Sequence, residues 1–264
     1  MLELFRALRR YRFFIVSSVR NDLRARVARS HLGAAWMVLQ PLAQVAIFSL
    51  VLSEVLAARL PGTTSKSAYA IYLMAGLLSW SLFIEITSRC LTVFVDNAGL
   101  LKKLVFPRIC LPIIVVGSAL LNNLFLFLAM LLIFALLGHS PSLELAWLLP
   151  LTALTVGFAL GMGLMLGVLN VFLRDVGQVM TIVLQLWFWL TPIVYMANIV
   201  PGSFQRWIAL NPMTPIVRAY QQAILYGQSP DITGLAWVVG LSALLLAVAL
   251  LLFRRASSDM VDVL

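Results

Sequence analysis

Any catalyst built from this chain would draw its chemistry from two histidines, two cysteines, three lysines and ten carboxylates. Their spacing assembles no reactive set. His31 and His139 have no metal-ligand neighbours, and the one nearby carboxylate, Glu144, belongs to a short loop where both groups read as solvated. Cys90 and Cys110 stand apart without a metal-binding spacing, and both fall on the side expected to be reducing, so no disulfide is expected. None of Lys66, Lys102 and Lys103 follows a G-x-x-x-x-G, so the chain carries no phosphate loop for ATP. Within the apolar segments the carboxylates are Glu54 and Glu85. Glu85 has Arg89 one helical turn away, which reads as a structural ion pair rather than a proton relay.

The elements that position these groups are set by the bilayer. Of 264 residues, 62% are hydrophobic and 11% charged, far more apolar surface than a soluble core can cover. A membrane-crossing helix needs about 20 apolar residues with few charges. The charge-poor stretches predict an all-α integral membrane protein with six spans, near 34–56, 68–87, 111–137, 145–171, 178–198 and 233–253. Orientation follows from Lys and Arg, which are retained in the cytoplasm. With the N-terminus inside, fifteen of the nineteen basic residues lie on the cytoplasmic side and four outside, and six spans return the C-terminus to the cytoplasm. The net charge of +9 is thereby assigned to anionic headgroups, not to nucleic acid. No cleavable signal peptide is apparent. The chain divides into an interfacial and coupling segment (1–33), one transmembrane domain (34–256) and a short cytoplasmic tail (257–264).

Residues Leu2 to about Ser18 predict an amphipathic interfacial helix with Leu4, Phe5, Leu8, Tyr11 and Ile15 on one face. A second basic stretch, 20–33, runs into the first span. The loop 97–108 predicts a short helix ending before Pro107. Between the last two spans, Thr214 reads as an N-cap, Pro215 as the first helical position and Gly227 as the stop of a helix too short to cross a membrane. These residues alone leave open whether the segment 199–232 re-enters the outer leaflet or forms a plain periplasmic hairpin.

Gly157, Gly161, Gly163 and Gly167 give two interleaved G-x-x-x-G spacings, expected to pack helices within the chain. Asn122 and Asn123 are expected to bond between helices, as is Gln185 unless it lines a channel. Tyr69, Tyr72, Trp147, Trp207 and Trp237 fit an outer interfacial belt, with Trp36 near the inner one. Trp80, Phe83, Trp187 and Trp189 sit too deep for a belt and suit either core packing or stacking on sugar rings. Residues two apart on a helix point to opposite sides, so Trp187 and Trp189 cannot face one lumen together.

The R-x-R-V-x-R-S-x-L-G run of residues 24–33, Gln40-Pro41, the Asn97…Lys102-Lys103…Phe106-Pro107-Arg108 loop, Phe172-Leu-Arg174-Asp175 and Asn211-Pro212 occur in an order and spacing that resemble the ABC-2 exporter permeases over nearly the whole chain. Closest are the permeases for O-antigen, teichoic acid or capsule polysaccharide. The resemblance implies a transport subunit rather than an enzyme, with ATP and Mg bound on a separate nucleotide-binding subunit and no cofactor on this chain. It further implies a homodimer passing a lipid-linked polysaccharide, in the bacterial inner membrane. On that basis Trp36, Trp80, Phe83, Trp187, Trp189 and Tyr195 would line the channel. Arg24, Arg26, Arg29, Lys102, Lys103 and Arg108 would couple to the ATPase. Asn211, Pro212, Pro215, Arg218 and Tyr220 would form a periplasmic gate on short re-entrant helices. O-antigen ranks first, teichoic acid or capsule next, and an ion-coupled secondary transporter is the alternative from another class.

Overall fold

The computed structural model describes residues 9–28, 66–103, 106–136, 142–196, 200–257 and 259–263, with six isolated positions between 35 and 47. The predicted first span, 34–56, therefore lies almost wholly outside the described residues. Among the described residues every regular element is helical. In order they are α1 (Arg12–Ala28), α2 (Lys66–Asp96), α3 (Ala98–Lys103), α4 (Cys110–Leu136), a 3-10 turn (Leu143–Trp147), α5 (Leu148–Phe172), α6 (Asp175–Leu190), α7 (Gly202–Leu210), α8 (Met213–Gln221) running into a π turn (Gln222–Tyr226), α9 (Ile232–Ala256) and α10 (Met260–Val263). Four of the described helical segments are long and apolar enough to cross a membrane: Ala68–Asp96, Cys110–Ala135, Leu143–Phe172 and Ile232–Ala256.

The glycines of α5 explain why it is central. An added Cβ at Gly163 would lie 2.8 Å from Cys90 Cβ, and one at Gly167 would collide with the Cys90 carbonyl, so this edge of α5 lies directly on α2. On its other side a Cβ at Gly157 or Gly161 would come within 2.9 Å of Ser242 Oγ or the Leu246 backbone N on α9. The two G-x-x-x-G spacings thus serve two different neighbours inside one chain. In a bilayer, where lipid is as apolar as leucine, such close backbone packing is what holds helices together.

Polar side chains supply the remaining contacts. Asn123 Nδ2 donates to the Leu78 carbonyl at 2.9 Å, and Asn122 Nδ2 donates to Glu85 Oε2 at 2.8 Å, joining α4 to α2. Asn170, buried near the end of α5, donates to the Leu91 carbonyl (3.0 Å) and accepts from the Gly177 N–H (2.9 Å), tying α2, α5 and α6 together. Asp231 caps α9 by accepting the Thr233 backbone N–H and hydroxyl. The Thr233 hydroxyl first, then the Gly234 N–H, holds this carboxyl below the usual carboxylate range. What the cap contributes is present above the unfolded-state pKa and is lost only as pH falls through the depressed one.

Three boundaries differ from the predicted ones. The second span continues past Arg89 to Asp96, because Arg89 is neutralised by Glu85 at 3.5 Å and by Asp22 of α1 at 2.8 Å. The helix stops only at Asn97, whose amide donates to the Val93 carbonyl. The fifth span ends at Leu190, not 198: a residue preceding proline is pushed out of the α region, and Thr191 before Pro192 is extended (φ −102°, ψ 131°). The N-terminal division between an amphipathic helix ending near Ser18 and a separate basic stretch is not observed, since α1 runs unbroken from Arg12 to Ala28. Of the expected apolar face, Ile15 is half-buried on α1 and Tyr11 half-buried just before it, Leu4, Phe5 and Leu8 lie outside the described residues, and Val19 seats against Gly117 of α4.

Candidate translocation and coupling surfaces

Ending α6 at Leu190 leaves Thr191–Met196 as irregular backbone. Within a membrane such backbone is tolerated only where other protein groups satisfy it. Tyr69 Oη donates to the Val194 carbonyl (2.6 Å), Tyr72 Oη lies 3.2 Å from the carbonyls of Pro192 and Tyr195, and Gln221 Nε2 donates to Pro192 O at 3.4 Å. Tyr69 and Tyr72 are thus buried donors, not belt residues. No local pattern could reveal this, because their partners lie more than a hundred residues away in sequence.

Asn211 organises the next junction. Its Oδ1 accepts from Trp187 Nε1 (2.8 Å) and from the Met213 N–H (2.9 Å), while its Nδ2 donates to Thr191 Oγ1 (2.9 Å) and the Leu190 carbonyl (3.2 Å). One buried carboxamide uses all its ordinary capacity to join the end of α6 to the start of α8. It also corrects the predicted cap. The helix begins at Met213, Asn211 provides the side-chain acceptor, and the Thr214 hydroxyl is buried without a partner among the described residues. The stop is as predicted: Gly227 is left-handed (φ 57°), beside Ser142 just before the 3-10 turn. Between these ends α8 and its π turn bury Met213, Ile216, Val217, Tyr220 and Ile224, and Tyr220 shares a hydrogen bond with Thr152 of α5 at 3.0 Å.

The residues predicted to line a channel separate into two sets. Phe83 is fully buried and Trp80 nearly so. Phe83 meets Phe158 in a stack (5.6 Å between centroids) and Trp187 edge-on (5.5 Å), and Trp80 meets Phe188 edge-on (5.6 Å). Such pairs add about 0.5–1.5 kcal/mol each beyond area burial, and they occupy the interior of the chain. Trp189, by contrast, is 58% exposed, and the half-buried Tyr195 donates its hydroxyl to the Trp189 carbonyl at 3.0 Å. Trp36 is also exposed. Of the predicted gate residues, Asn211 and Tyr220 are buried, Pro212 and Pro215 half-buried, and Arg218 exposed.

Of the predicted coupling residues, Arg24, Lys102, Lys103 and Arg108 have described side chains. α3 ends at Lys102 and Lys103, both exposed, while Leu101 anchors it. Phe14 of α1 and Phe106 of the loop are 5.5 Å apart between ring centroids, which sets the N-terminal helix beside this loop. Arg24 is exposed on α1; the side chain of Arg26 and the whole of Arg29 lie outside the described residues. Arg108 has a structural use, donating to Ser257 Oγ at 2.9 Å and fastening the loop to the end of α9.

This arrangement, long apolar helices packed closely around a central small-residue helix, is that of a multi-pass membrane protein. Residues 14–225 match the sequence model of the family described as ABC-2 type transporter, and the chain belongs to that family. It is similar to the O-antigen export system permease protein RfbA of Klebsiella pneumoniae, 29% identical over 219 residues and 82% of each chain. The protein of the same name from Myxococcus xanthus is 27% identical over 264 residues, 99% of each chain. The polysialic acid transport protein KpsM of Escherichia coli is 22% identical over 245 residues, covering 91% of this chain and 92% of its own.

Proposed function

We propose that this chain is the membrane subunit of an ATP-driven exporter that moves a lipid-linked cell-surface polysaccharide, O-antigen first among the candidates, across the bacterial inner membrane. The observation that carries this reading is the full-length similarity to O-antigen export permeases. Capsule-type polysaccharide is the second reading, favoured by the similarity to the polysialic acid transport protein. Two copies would enclose the channel, and ATP and Mg would be bound by a separate nucleotide-binding subunit.

Six spans with both ends in the cytoplasm are the topology proposed, supported by the fifteen-to-four basic asymmetry. Ser229→Cys should react with an impermeant thiol reagent from outside, and Asp259→Cys only after the inner face is opened. The reverse pattern would contradict it. Re-entry of α7 and α8 is supported by the shortness of α6: its sixteen residues reach only about 24 Å, less than the hydrocarbon thickness, and Asn211 bonds to Trp187 and Leu190 at that end. Trp189, Tyr195 and Trp36 are the aromatics proposed to meet polymer, since they are exposed or half-buried, whereas Trp80, Phe83 and Trp187 pack inside the chain.

The surface formed by α1 and α3 is proposed to dock the ATPase. Replacing both Lys102 and Lys103 by Glu leaves the buried anchor Leu101 untouched. The double variant should reach the membrane at normal abundance yet separate ATP turnover from export. ATP-coupled export at the wild-type rate would remove this surface from the mechanism.

A further inference from the structure

The outward face of α6 is divided in a way that lipid alone does not explain. A helix advances about 100° per residue, so residues seven apart fall within about 20° of one another. Gln178, Thr181, Gln185 and Trp189 therefore form one stripe, and all four are exposed. Val179, Ile182, Val183, Leu186 and Leu190 form the adjoining exposed stripe. The third side, with Leu184, Trp187 and Phe188, packs into the protein. Polar and apolar residues are thus segregated within the exposed surface itself.

Gln185 is ten residues into a 16-residue helix, about 15 Å from its start, which is deep in a bilayer. A carboxamide at that depth facing hydrocarbon is strongly disfavoured. Among the described residues neither Gln178 nor Gln185 has a hydrogen-bond partner, while Thr181 satisfies its hydroxyl on the Gly177 carbonyl (2.9 Å). The stripe carries donors and acceptors but no charge between Asp175 and Tyr195, and it leads to the exposed Trp189. Amides with an aromatic ring beyond them match a neutral polyhydroxylated chain: amides bond hydroxyls, and the ring takes the C–H face.

We infer that Gln178, Gln185 and Trp189 form a hydrated track on α6 along which the hydroxyl groups of the exported polymer are handed outward, while the neighbouring Ile182 and Leu186 stripe faces lipid or the second copy. This rests on the export reading above and adds to it a recognition surface with uncharged hydrogen-bonding chemistry. Along the track the amides exchange water for polymer hydroxyls, so each contact contributes about one net hydrogen bond.

Two measurements on the full chain in native membranes test it. Cys90 and Cys110 are both buried, which keeps the background low. Gln185→Cys should react with a charged methanethiosulfonate, and Leu186→Cys should not. Equal reactivity at both positions, or none at Gln185→Cys, would overturn the hydrated track. Gln185→Leu should lower polysaccharide export about two- to tenfold, the loss of one hydrogen bond, with unchanged membrane abundance. Gln185→Asn should retain most of the rate. Wild-type export from the Leu variant refutes the inference, as does loss of self-association, which would assign the stripe to the second copy. If the wild-type chain itself exports no polysaccharide, the export reading has failed, and the labelling pattern still decides whether this face meets water.

Discussion

Replacing Asn211 by Leu is expected to destabilise the permease by about 2–6 kcal/mol, the cost of leaving two buried donors without acceptors. Those donors are Trp187 Nε1–H and the Met213 N–H, and both currently meet one oxygen at 2.8 and 2.9 Å. The change also frees the Leu190 carbonyl and removes one partner of the Thr191 hydroxyl, which keeps its bond to Trp187 O. Asn211→Asp is a useful companion: it keeps acceptors for the two donors but loses its own two N–H bonds and buries a carboxylate. Thermal unfolding in detergent, followed on monodisperse protein, should place both variants below wild type. A Leu variant with wild-type thermal stability would mean that the junction of α6 and α8 is held by packing alone.

The second large effect is expected at Gly167. A Cβ there would run into the Cys90 carbonyl, a backbone atom that cannot rotate aside, so α5 and α2 must separate. Overpacking of this kind costs about 1–3 kcal/mol, even after the gain in helix propensity from glycine to alanine. Gly240 on α9 provides the control, since an added Cβ meets nothing within 4 Å. Gly240→Ala should be neutral or stabilising by up to about 1 kcal/mol. Equal stability of the two Ala variants would refute the assignment of this glycine pair to the α2–α5 contact.

Much of this arrangement can be read in the chain, for identifiable reasons. Charges mark where helices leave hydrocarbon, so each of the four strongly apolar helices coincides with a predicted span, although the one predicted at 68–87 runs on to Asp96. Glycines four apart on one helix imply close approach, and Gly157 with Gly161 and Gly163 with Gly167 do meet two neighbours. Glu85 and Arg89, one turn apart, do pair, and the short helix before Pro107 is present as Ala98–Lys103.

What escaped reading depends on contacts distant in sequence. Arg89 looked like the end of a span, yet Asp22, 67 residues earlier, lets the helix continue. Tyr69 and Tyr72 looked like belt residues because the carbonyls they satisfy belong to a break after α6. Pro192 was a legible signal for that break, and Asn211 two residues before Met213 was a legible cap, since asparagine commonly accepts from the backbone two residues on. Asn170 had no local signal, because its role lies in reaching α2 and α6 together.

The central claim concerns transport of polysaccharide, and the most direct measurement is where the polymer resides in cells that synthesise it. Removing this chain while leaving polymer synthesis intact should clear polysaccharide from the cell surface and leave lipid-linked polymer inside. Restoring the chain together with its ATP-binding partner should return the polymer to the surface, and a partner unable to hydrolyse ATP should not. Surface polysaccharide that persists unchanged without this chain would contradict the account.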